Sequence, residues 1–368
     1  MRVAFDAHMI GERETGNESY ALNLLRGLAT LPDDDNQYGV LTPRPQALRK
    51  AITLPPRFEV VRVWPAASAL RIPFGMPIAL ASWRSSLLHV TYIAPGRPGC
   101  PTVVTVHDLS YLAHPEWLSW RVRFTLNQLV PRSIRAAARV IAISDFTKQD
   151  LIQRYGLPAE KIVVVPLAAG ANFTRLADAA ARPLPSGIGE PFILAVGNLE
   201  PRKNLATLIE AFAEVVRQHA FAGPLVIAGK AKYRGEEAAG VVTRLGLEGR
   251  VIFTGFIDDE TLRLLYNRAT LFAYPSLYEG FGLPLLEAMA CGCPVVASNA
   301  TAIPQTAGDA AILVDPTSVA ALAAAMARVV GDPELARRLS VEGKAQAARF
   351  SWTRTAELTR GVYQEAVA

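Results

Sequence analysis

Cysteine is scarce in this chain of 368 residues, with only Cys100, Cys291 and Cys293. An odd count without metal-like spacing argues against a disulfide framework and fits a reducing compartment. Cys291 and Cys293 stand one residue too close for a C-x-x-C redox pair and read as small buried residues. No apolar run reaches the roughly 18 residues that a membrane-spanning helix needs. The opening stretch, "MRVAFDAHMIGERETG", reads as a short strand broken by Asp6 and His8, not as a signal peptide. A soluble or peripheral protein is therefore expected. Acidic residues are nearly missing from positions 44–139, with three against 13 basic ones, almost all arginine. These arginines form no run, finger or recognition-helix pattern, which argues against nucleic acid. An anionic surface or substrate suits such a field better. Trp120–Val140, "WRVRFTLNQLVPRSIRAAARV", mixes arginine, tryptophan and aliphatics as an interfacial helix does. An ordinary amphipathic helix lying on a sheet has the same pattern.

Apolar sequence is plentiful. Hydrophobic residues make up 51% of the chain and charged ones 19%, and the length suits two domains. "RVAFDA", "YGVLT", "FEVVRV", "LLHVTY", "PTVVTVHD", "RVIAIS" and "KIVVVPLAAG" read as short buried strands. "NESYALNLLRGLATL" between them has helical spacing after a turn and cap at Thr15-Gly16-Asn17. "DFTKQDLIQRYGL" is a helix with Ser144 or Asp145 as its cap and Gly156 as its stop. Residues 170–190 lose this rhythm and gain Pro, Gly and Ala, as a linker does. Strand–helix alternation then restarts at "FILAVGN" and runs to a last helix, "WTRTAELTRGVYQEAVA". Two consecutive sets of this kind predict an α/β protein with two doubly wound parallel sheets.

Ligands bind outside the carboxyl ends of the strands in such sheets, so loops that follow strands are the candidates. Gly197-Asn198-Leu199-Glu200-Pro201-Arg202-Lys203-Asn204 is one. Arg202 offers a planar fork and Lys203 a point charge, which together suit a diphosphate. A plain solvated basic turn capped by Asn204 fits the same residues. A second loop runs from Glu279 to Glu287, with Gly280 and Gly282 allowing backbone amides to approach a ligand. Pro284 marks the helix start. The cations need not be local, since Arg202 and Lys203 can supply them from another strand end. The two carboxylates then suit hydroxyl groups, Glu287 a ribose diol and Glu279 a sugar. Glu287 alone could also be a glutamate that stabilises a first helical turn. His107, at the end of "PTVVTV", is placed to meet a substrate. Gly16 and Asn17 open the first strand–helix junction, where a helix N-terminus could approach a phosphate.

With these residues in place the chain resembles the retaining glycosyltransferases of the group 1 type, family four. The resemblance spans almost the whole chain. Its most specific part is the E-x7-E motif Glu279-Gly-Phe-Gly-Leu-Pro-Leu-Leu-Glu287 followed by "AMACGCPVVAS". "GNLEPRKN", "VIFTGFIDDETLRLLYNRA", "TVHDLSYLAHPE" and "IAISDFTKQDL" are similar to further family blocks.

The resemblance implies a GT-B fold, two Rossmann-like doubly wound domains facing across a cleft. An acceptor domain would span 1–169, a linker 170–190 and a donor domain 191–350. The helix in 351–368 would cross back to the first domain. By similarity Arg202 and Lys203 would hold the donor diphosphate next to Gly197, and Glu287 the ribose. Glu279, Gly280 and the amides of Phe281, Gly282 and Leu283 would hold the sugar. The base would pack near Lys230, Gly255, Phe256 and Ile257. His107 would lie against the sugar near the anomeric carbon, and Gly16 with Asn17 near the phosphates. Members of this type use cations and helix dipoles, so no metal or other cofactor is expected. Consistently, no Asp-x-Asp stands at a strand end, and Asp258-Asp259 reads as a helix cap. Front-face attack with retention is the implied chemistry, with Glu279 as a covalent nucleophile the alternative. Two positions depart from the pattern: Gln305 replaces a common acidic residue, and "GNESY" lacks a second glycine.

The block "TVHDLSYLAHPEWLS" looks most like polysaccharide and O-antigen mannosyltransferases. GDP-mannose is thus the leading donor, and a saccharide or lipid-linked saccharide the acceptor in cell-surface polysaccharide synthesis. The expected location is the cytoplasm, with peripheral contact on the cytoplasmic face of the inner membrane. UDP-glucose, UDP-galactose or UDP-N-acetylhexosamine would use the same motifs. An epimerase and a sugar-nucleotide-binding subunit are the alternatives outside transfer.

Overall fold

The computed structural model describes residues 1–12, 15–32, 35–218, 220–231 and 236–368. It divides into two units. One comprises Met1–Pro115, Ser119–Leu167 and Ser351–Ala368; the other comprises Glu116–Leu118 and Ala168–Phe350.

The first unit runs β1 (Arg2–Asp6), α1 (Thr15–Thr30), β2 (Gln37–Thr42), α2 (Pro45–Ala51), β3 (Phe58–Arg62), α3 (Ser68–Leu70), α4 (Met76–Ser82), β4 (Leu87–Thr91), β5 (Thr102–Val106), α5 (Ser110–Ala113), α6 (Trp120–Ala136), β6 (Arg139–Ala142), α7 (Asp145–Tyr155) and β7 (Ile162–Val164). Its strands form one parallel sheet in the order β3-β2-β1-β4-β5-β6-β7. β4 and β5 are buried along their whole length. That is why they read as Val, Leu and Thr runs interrupted only by His89: both faces carry helices, so no polar alternation is needed. The β3–β4 and β5–β6 crossovers run the same way across the sheet. Right-handed connection therefore puts α4 and α6 on one face and α1, whose crossover runs the other way, on the opposite face.

The second unit runs β8 (Ile193–Val196), α8 (Leu205–Arg217), β9 (Leu225–Ala228), α9 (Glu236–Arg244), β10 (Val251–Gly255), α10 (Asp259–Arg268), β11 (Leu271–Tyr274), α11 (Leu283–Ala290), β12 (Val295–Ser298), α12 (Ile303–Ala307), β13 (Ile312–Val314), α13 (Val319–Gly331) and α14 (Pro333–Ala347). Its sheet is parallel, in the order β10-β9-β8-β11-β12-β13. The two sheets thus confirm the doubly wound, Rossmann-like architecture expected from the alternation. Segment 170–190 has no strand and is fastened to α10: Asn267 Oδ1 accepts from Leu176 N at 2.8 Å, and Arg263 Nε donates to Thr174 O at 3.0 Å.

The last helix, α15 (Trp352–Val367), packs on α1 in the first unit. A Cβ on Gly27 would lie 2.4 Å from the Trp352 carbonyl oxygen, so the two backbones touch there. Tyr363 of α15 also meets a buried polar chain. His89 Nδ1 lies 2.7 Å from the Tyr363 hydroxyl and Nε2 2.7 Å from Thr105 Oγ1, which in turn lies 2.9 Å from the Tyr20 hydroxyl. Burial, with His107 nearby, pushes the His89 ring down to about 3, so it stays neutral.

Local signals that sequence predicts reappear in place. Ser144 Oγ accepts from Thr147 N at 3.1 Å, and Gly156 ends α7 at φ +62°. Asp258 caps α10 through Thr261 N at 2.8 Å. Cys291 and Cys293 are buried, and burial pushes the Cys291 thiol up to about 12. Two local expectations need correction. Gly16 and Asn17 lie inside the first turn of α1, which begins at Thr15, ahead of the segment that the periodicity marks from Asn17. The side chain of Thr15, expected in the cap, lies outside the described residues. Glu287 is the fifth residue of α11, past its first turn, so the helix dipole does not account for it.

Candidate functional site

The order of each sheet reverses once, between β1 and β4 and between β8 and β11. Loops leaving the two central strands at such a reversal diverge to opposite faces and open a crevice at the carboxyl edge. In the second unit, the loops after β8 and β11 carry most of the predicted residues.

The β8 loop is shaped by glycine. Gly197 has φ +146°, and a Cβ there would sit 2.6 Å from Lys203 Cε. Gly229, at the end of β9, has φ +157°, and its Cβ would sit 2.0 Å from the Gly197 oxygen. The two strand ends therefore pack backbone to backbone, with Gly197 N donating to Ala228 O at 2.9 Å. Lys203 passes its stem over the bare backbone of Gly197. A short 3-10 turn, Pro201–Lys203, then leads through Asn204 at φ +55° into α8. Asn204 does not cap α8 with its side chain; its amide nitrogen donates to Pro275 O at 3.2 Å and Pro316 O at 2.6 Å. Leu277 N donates to Arg202 O at 2.8 Å. The loops after β8, β11 and β13 are thereby tied together.

Glu279 receives both cations. Lys203 Nζ lies 2.6 Å from its Oε1, and Arg202 Nη1 lies 2.8 Å from its Oε2. Lys203 is 6% exposed and Glu279 7%. Burial alone would raise the Glu279 carboxyl, but Arg202 and Lys203 outweigh it and hold it at about 2. Arg202 is gripped from its other edge by Glu200, whose Oε1 lies 2.7 Å from Nε. The Tyr274 hydroxyl accepts from Lys203 Nζ at 3.1 Å. Thr301 Oγ1 accepts from Glu279 N at 3.0 Å and sets the backbone of the loop.

Past Glu279 the loop turns at Gly282, φ +105°, into α11. Thr306 Oγ1 donates to Phe281 O at 2.6 Å. Among the described residues, none accepts from the amides of Phe281, Gly282 and Leu283, so a helix start with three open donors faces the loop. Glu287 is partly buried and accepts from the Tyr266 hydroxyl at 3.3 Å. Burial and the negative charge of Asp259 push its carboxyl up to about 8, against the pull of Tyr266 and Lys203. The two acids of the motif therefore differ at neutral pH: Glu279 is ionised and Glu287 is mostly protonated. Lys230 Nζ lies 4.7 Å from the centre of the Phe256 ring, so the ends of β9 and β10 form a cation–aromatic shelf beside Ile257.

The predicted residues Gly16, Asn17 and His107 belong to the first unit. A Cβ on Gly16 would meet nothing within 4 Å, so packing does not require glycine there. His107 stands edge-on to Tyr20, with ring centroids 4.7 Å apart, and to Tyr92 at 5.8 Å. Its Nε2 is buried without a hydrogen-bond partner among the described residues, and burial lowers the ring to about 4. It is therefore a neutral imidazole with an unspent polar atom at a strand end.

Sequence reasoning missed Glu200, Tyr274, Tyr266 and Thr301. Glu200 had a signal, standing two residues before Arg202 in a turn fixed by Pro201. The other three are second partners that become neighbours only through the tertiary fold.

The family description "Glycosyl transferases group 1" matches residues 179–346, and "Glycosyltransferase Family 4" matches residues 15–169. The chain is 34% identical over 266 residues to the O-antigen chain mannosyltransferase B of Escherichia coli, covering 71% of this chain and 70% of that protein. It is 32% identical over 271 residues to the serotype-specific mannosyltransferase WbdA of Escherichia coli, covering 70% of this chain but only 32% of that longer protein. Among solved structures it is similar to a sucrose-phosphate synthase from Thermosynechococcus elongatus, with TM-score 0.80, 25% identity, and 99% and 98% of the two chains covered. It also shares its fold with WaaG, a glycosyltransferase involved in lipopolysaccharide biosynthesis, at TM-score 0.72, 18% identity, and 98% and 99% coverage.

Proposed function

This chain belongs to the group 1 glycosyltransferases, and from that premise we propose that it is a retaining, metal-independent mannosyltransferase. In this reading it moves mannose from GDP-mannose to a saccharide or lipid-linked saccharide in cell-surface polysaccharide synthesis. The observation that carries the reading is the set of partly buried Arg202 with buried Lys203 and Glu279 at the strand reversal of the second unit. Similarity to two mannosyltransferases supports the sugar.

The donor diphosphate binds against Arg202 and Lys203, whose positive charge stabilises the anion as the glycosidic C–O bond breaks. No metal or other cofactor is needed for that charge balance. Glu287 takes the ribose hydroxyls, and the shelf of Lys230 and Phe256 takes the base. Gly280 and the open amides of Phe281, Gly282 and Leu283 meet the sugar. The acceptor oxygen forms the new bond on the face that the phosphate leaves, and its proton passes to the departing phosphate oxygen. Glu279 is a poor covalent nucleophile in this arrangement because both oxygens are held by cations.

The first unit is also proposed to dock on an anionic membrane. Trp64, Leu70, Phe74 and Ile78 around α3 and α4 are exposed, as are Trp120, Val122 and Phe124 on α6. Both groups belong to crossovers on one face of the sheet, in a stretch where arginine has few acidic neighbours. Exposed aromatics beside arginine fit the interface of an anionic bilayer.

The test is release of nucleoside diphosphate from GDP-mannose, UDP-glucose, UDP-galactose and UDP-N-acetylglucosamine, with and without a mannoside acceptor and with and without EDTA. Acceptor-dependent release from GDP-mannose with retained anomeric configuration, insensitive to EDTA, is expected. Release from a UDP-sugar alone would overturn the donor. Inversion or loss in EDTA would overturn the mechanism.

A further inference from the structure

The strand reversal of the first unit, between β1 and β4, carries polar groups that the proposed donor chemistry does not use. Asp6, the last residue of β1, is 4% exposed. Its Oδ1 accepts from the His8 amide at 3.2 Å, and its Oδ2 lies 2.8 Å from His8 Nδ1. Burial pulls this carboxyl up, but His8 and Arg71 beside it prevail and keep it below its usual value. Arg71, in the turn Arg71–Gly75 between α3 and α4, is itself buried and donates from Nη1 to Ala66 O at 3.0 Å. The neighbouring strand β4 ends in Thr91, whose Oγ1 is buried and makes no hydrogen bond.

An aspartate needed only to shape the turn after β1 would be satisfied by the His8 amide. The second oxygen does more. By accepting from Nδ1–H it fixes the ring's tautomer and leaves Nε2 as a hydrogen-bond acceptor. The His8 side chain is 25% exposed, and its Nε2 has no partner among the described residues. Arg44 bonds the His8 carbonyl at 3.0 Å and Glu12 at 2.7 Å, so its charge is matched away from the ring. Arg71 acts on Asp6 through its charge alone, with Nη1 on Ala66 O and Nε without a hydrogen-bond partner among the described residues. An acceptor nitrogen backed by a carboxylate suits a hydroxyl group, which can donate to it, better than an anion, which cannot.

We propose that the Asp6–His8 pair, at the carboxyl edge where β1 meets β4, recognises a hydroxyl group of the acceptor saccharide. His8 Nε2 accepts from that hydroxyl, and Asp6 is a positioning residue that acts through the ring. This deepens the transferase reading and rests on it for the identity of the saccharide as acceptor.

Saturation-transfer NMR on the full chain tests the pair, with methyl α-D-mannopyranoside as the saccharide probe and GDP as a separate probe. His8→Ala should weaken saccharide binding by about tenfold, the loss of one well-placed hydrogen bond, with GDP binding unchanged. His8→Gln, which can present an oxygen near the place of Nε2, should recover part of the loss. Asp6→Asn should weaken saccharide binding through the tautomer, again without changing GDP binding. Equal saccharide binding by wild type and His8→Ala overturns the proposal, as does the absence of a saccharide signal from wild type. The transferase reading fails separately, when wild type binds the mannoside yet releases no nucleoside diphosphate from any donor.

Discussion

Replacing Glu279 with glutamine probes the centre of the proposed donor site. The change keeps shape and removes one charge. Lys203 then retains the Tyr274 hydroxyl and Arg202 retains Glu200, but each loses its carboxylate oxygen. The magnitude can be worked in two ways. Holding the carboxyl at about 2 rather than 4.5 corresponds to about 3 kcal/mol of stabilisation at neutral pH. Removing one partner from a buried ion pair costs about 3–5 kcal/mol in general. The two routes agree. For a unit of this size such a loss lowers the melting temperature by about 6–12 °C.

The pH dependence follows from the direction of the shift. A carboxyl whose folded value is depressed contributes fully above its unfolded value and loses that contribution as pH falls through the folded one. Wild type should exceed Glu279→Gln by about 3 kcal/mol at pH 7, by about 1 kcal/mol at pH 3, and by almost nothing below pH 2. Denaturant unfolding across that range measures it. GDP affinity should hold or rise, because the cations lose an internal competitor, while transfer slows. A stability difference under about 1 kcal/mol at pH 7, or one constant from pH 7 to pH 3, would refute the reasoning.

Four further outcomes follow. Glu287, held at about 8, is about nine-tenths protonated at pH 7, and accepting two ribose hydroxyls favours its ionised form. Nucleotide binding at pH 7 should therefore release up to about 0.9 proton more in wild type than in Glu287→Gln, measured by calorimetry in buffers of different ionisation enthalpy; equal release excludes Glu287 as the ribose ligand. The same raised value means that stability is lost as pH rises from about 4.5 to about 8, so ligand-free Glu287→Gln should melt above wild type at pH 9. Gly229→Ala, with its Cβ 2.0 Å from a backbone oxygen, should destabilise the second unit by more than about 2 kcal/mol and abolish nucleotide binding, whereas Gly16→Ala should leave the melting temperature unchanged. Trp120→Ser with Phe124→Ser should sharply reduce sedimentation with phosphatidylglycerol vesicles and leave GDP binding intact; unchanged sedimentation excludes α6 as a docking element.

The strands were legible because burial on both faces selects unbroken Val, Ile and Leu runs. Helix ends were legible where a short polar side chain caps them, at Ser144 and Asp258. The helical segment from Ser68 to Ser82 was not, because Pro73 and Pro77 interrupt it and its apolar residues include exposed Leu70, Phe74 and Ile78. No amphipathic period survives when both sides of a helix are apolar. In the site, the meeting of the β8 and β11 loops was legible from strand alternation. The partner of Glu279 was not. It depends on Lys203 lying over Gly197, which depends in turn on Gly197 meeting Gly229, and neither packing is encoded within one loop.

That packing changes what the two acids of the E-x7-E motif are for. Without Glu279, partly buried Arg202 would stand beside a Lys203 only 6% exposed, and an uncompensated buried ion costs several kcal/mol. Glu279 removes that cost by standing in for the phosphate. In the proposed function, an arriving diphosphate lets the cations exchange part of one anionic partner for another, so the site need not rebuild its electrostatics. Preorganisation of this kind is available only if the acid is ionised throughout, and Glu279 is held at about 2. Glu287 has no cation in hydrogen-bond contact and rises to about 8, which suits a group whose charge is called on only when hydroxyls reach it. The spacing of eight residues thus separates a permanent counter-ion from a conditional one.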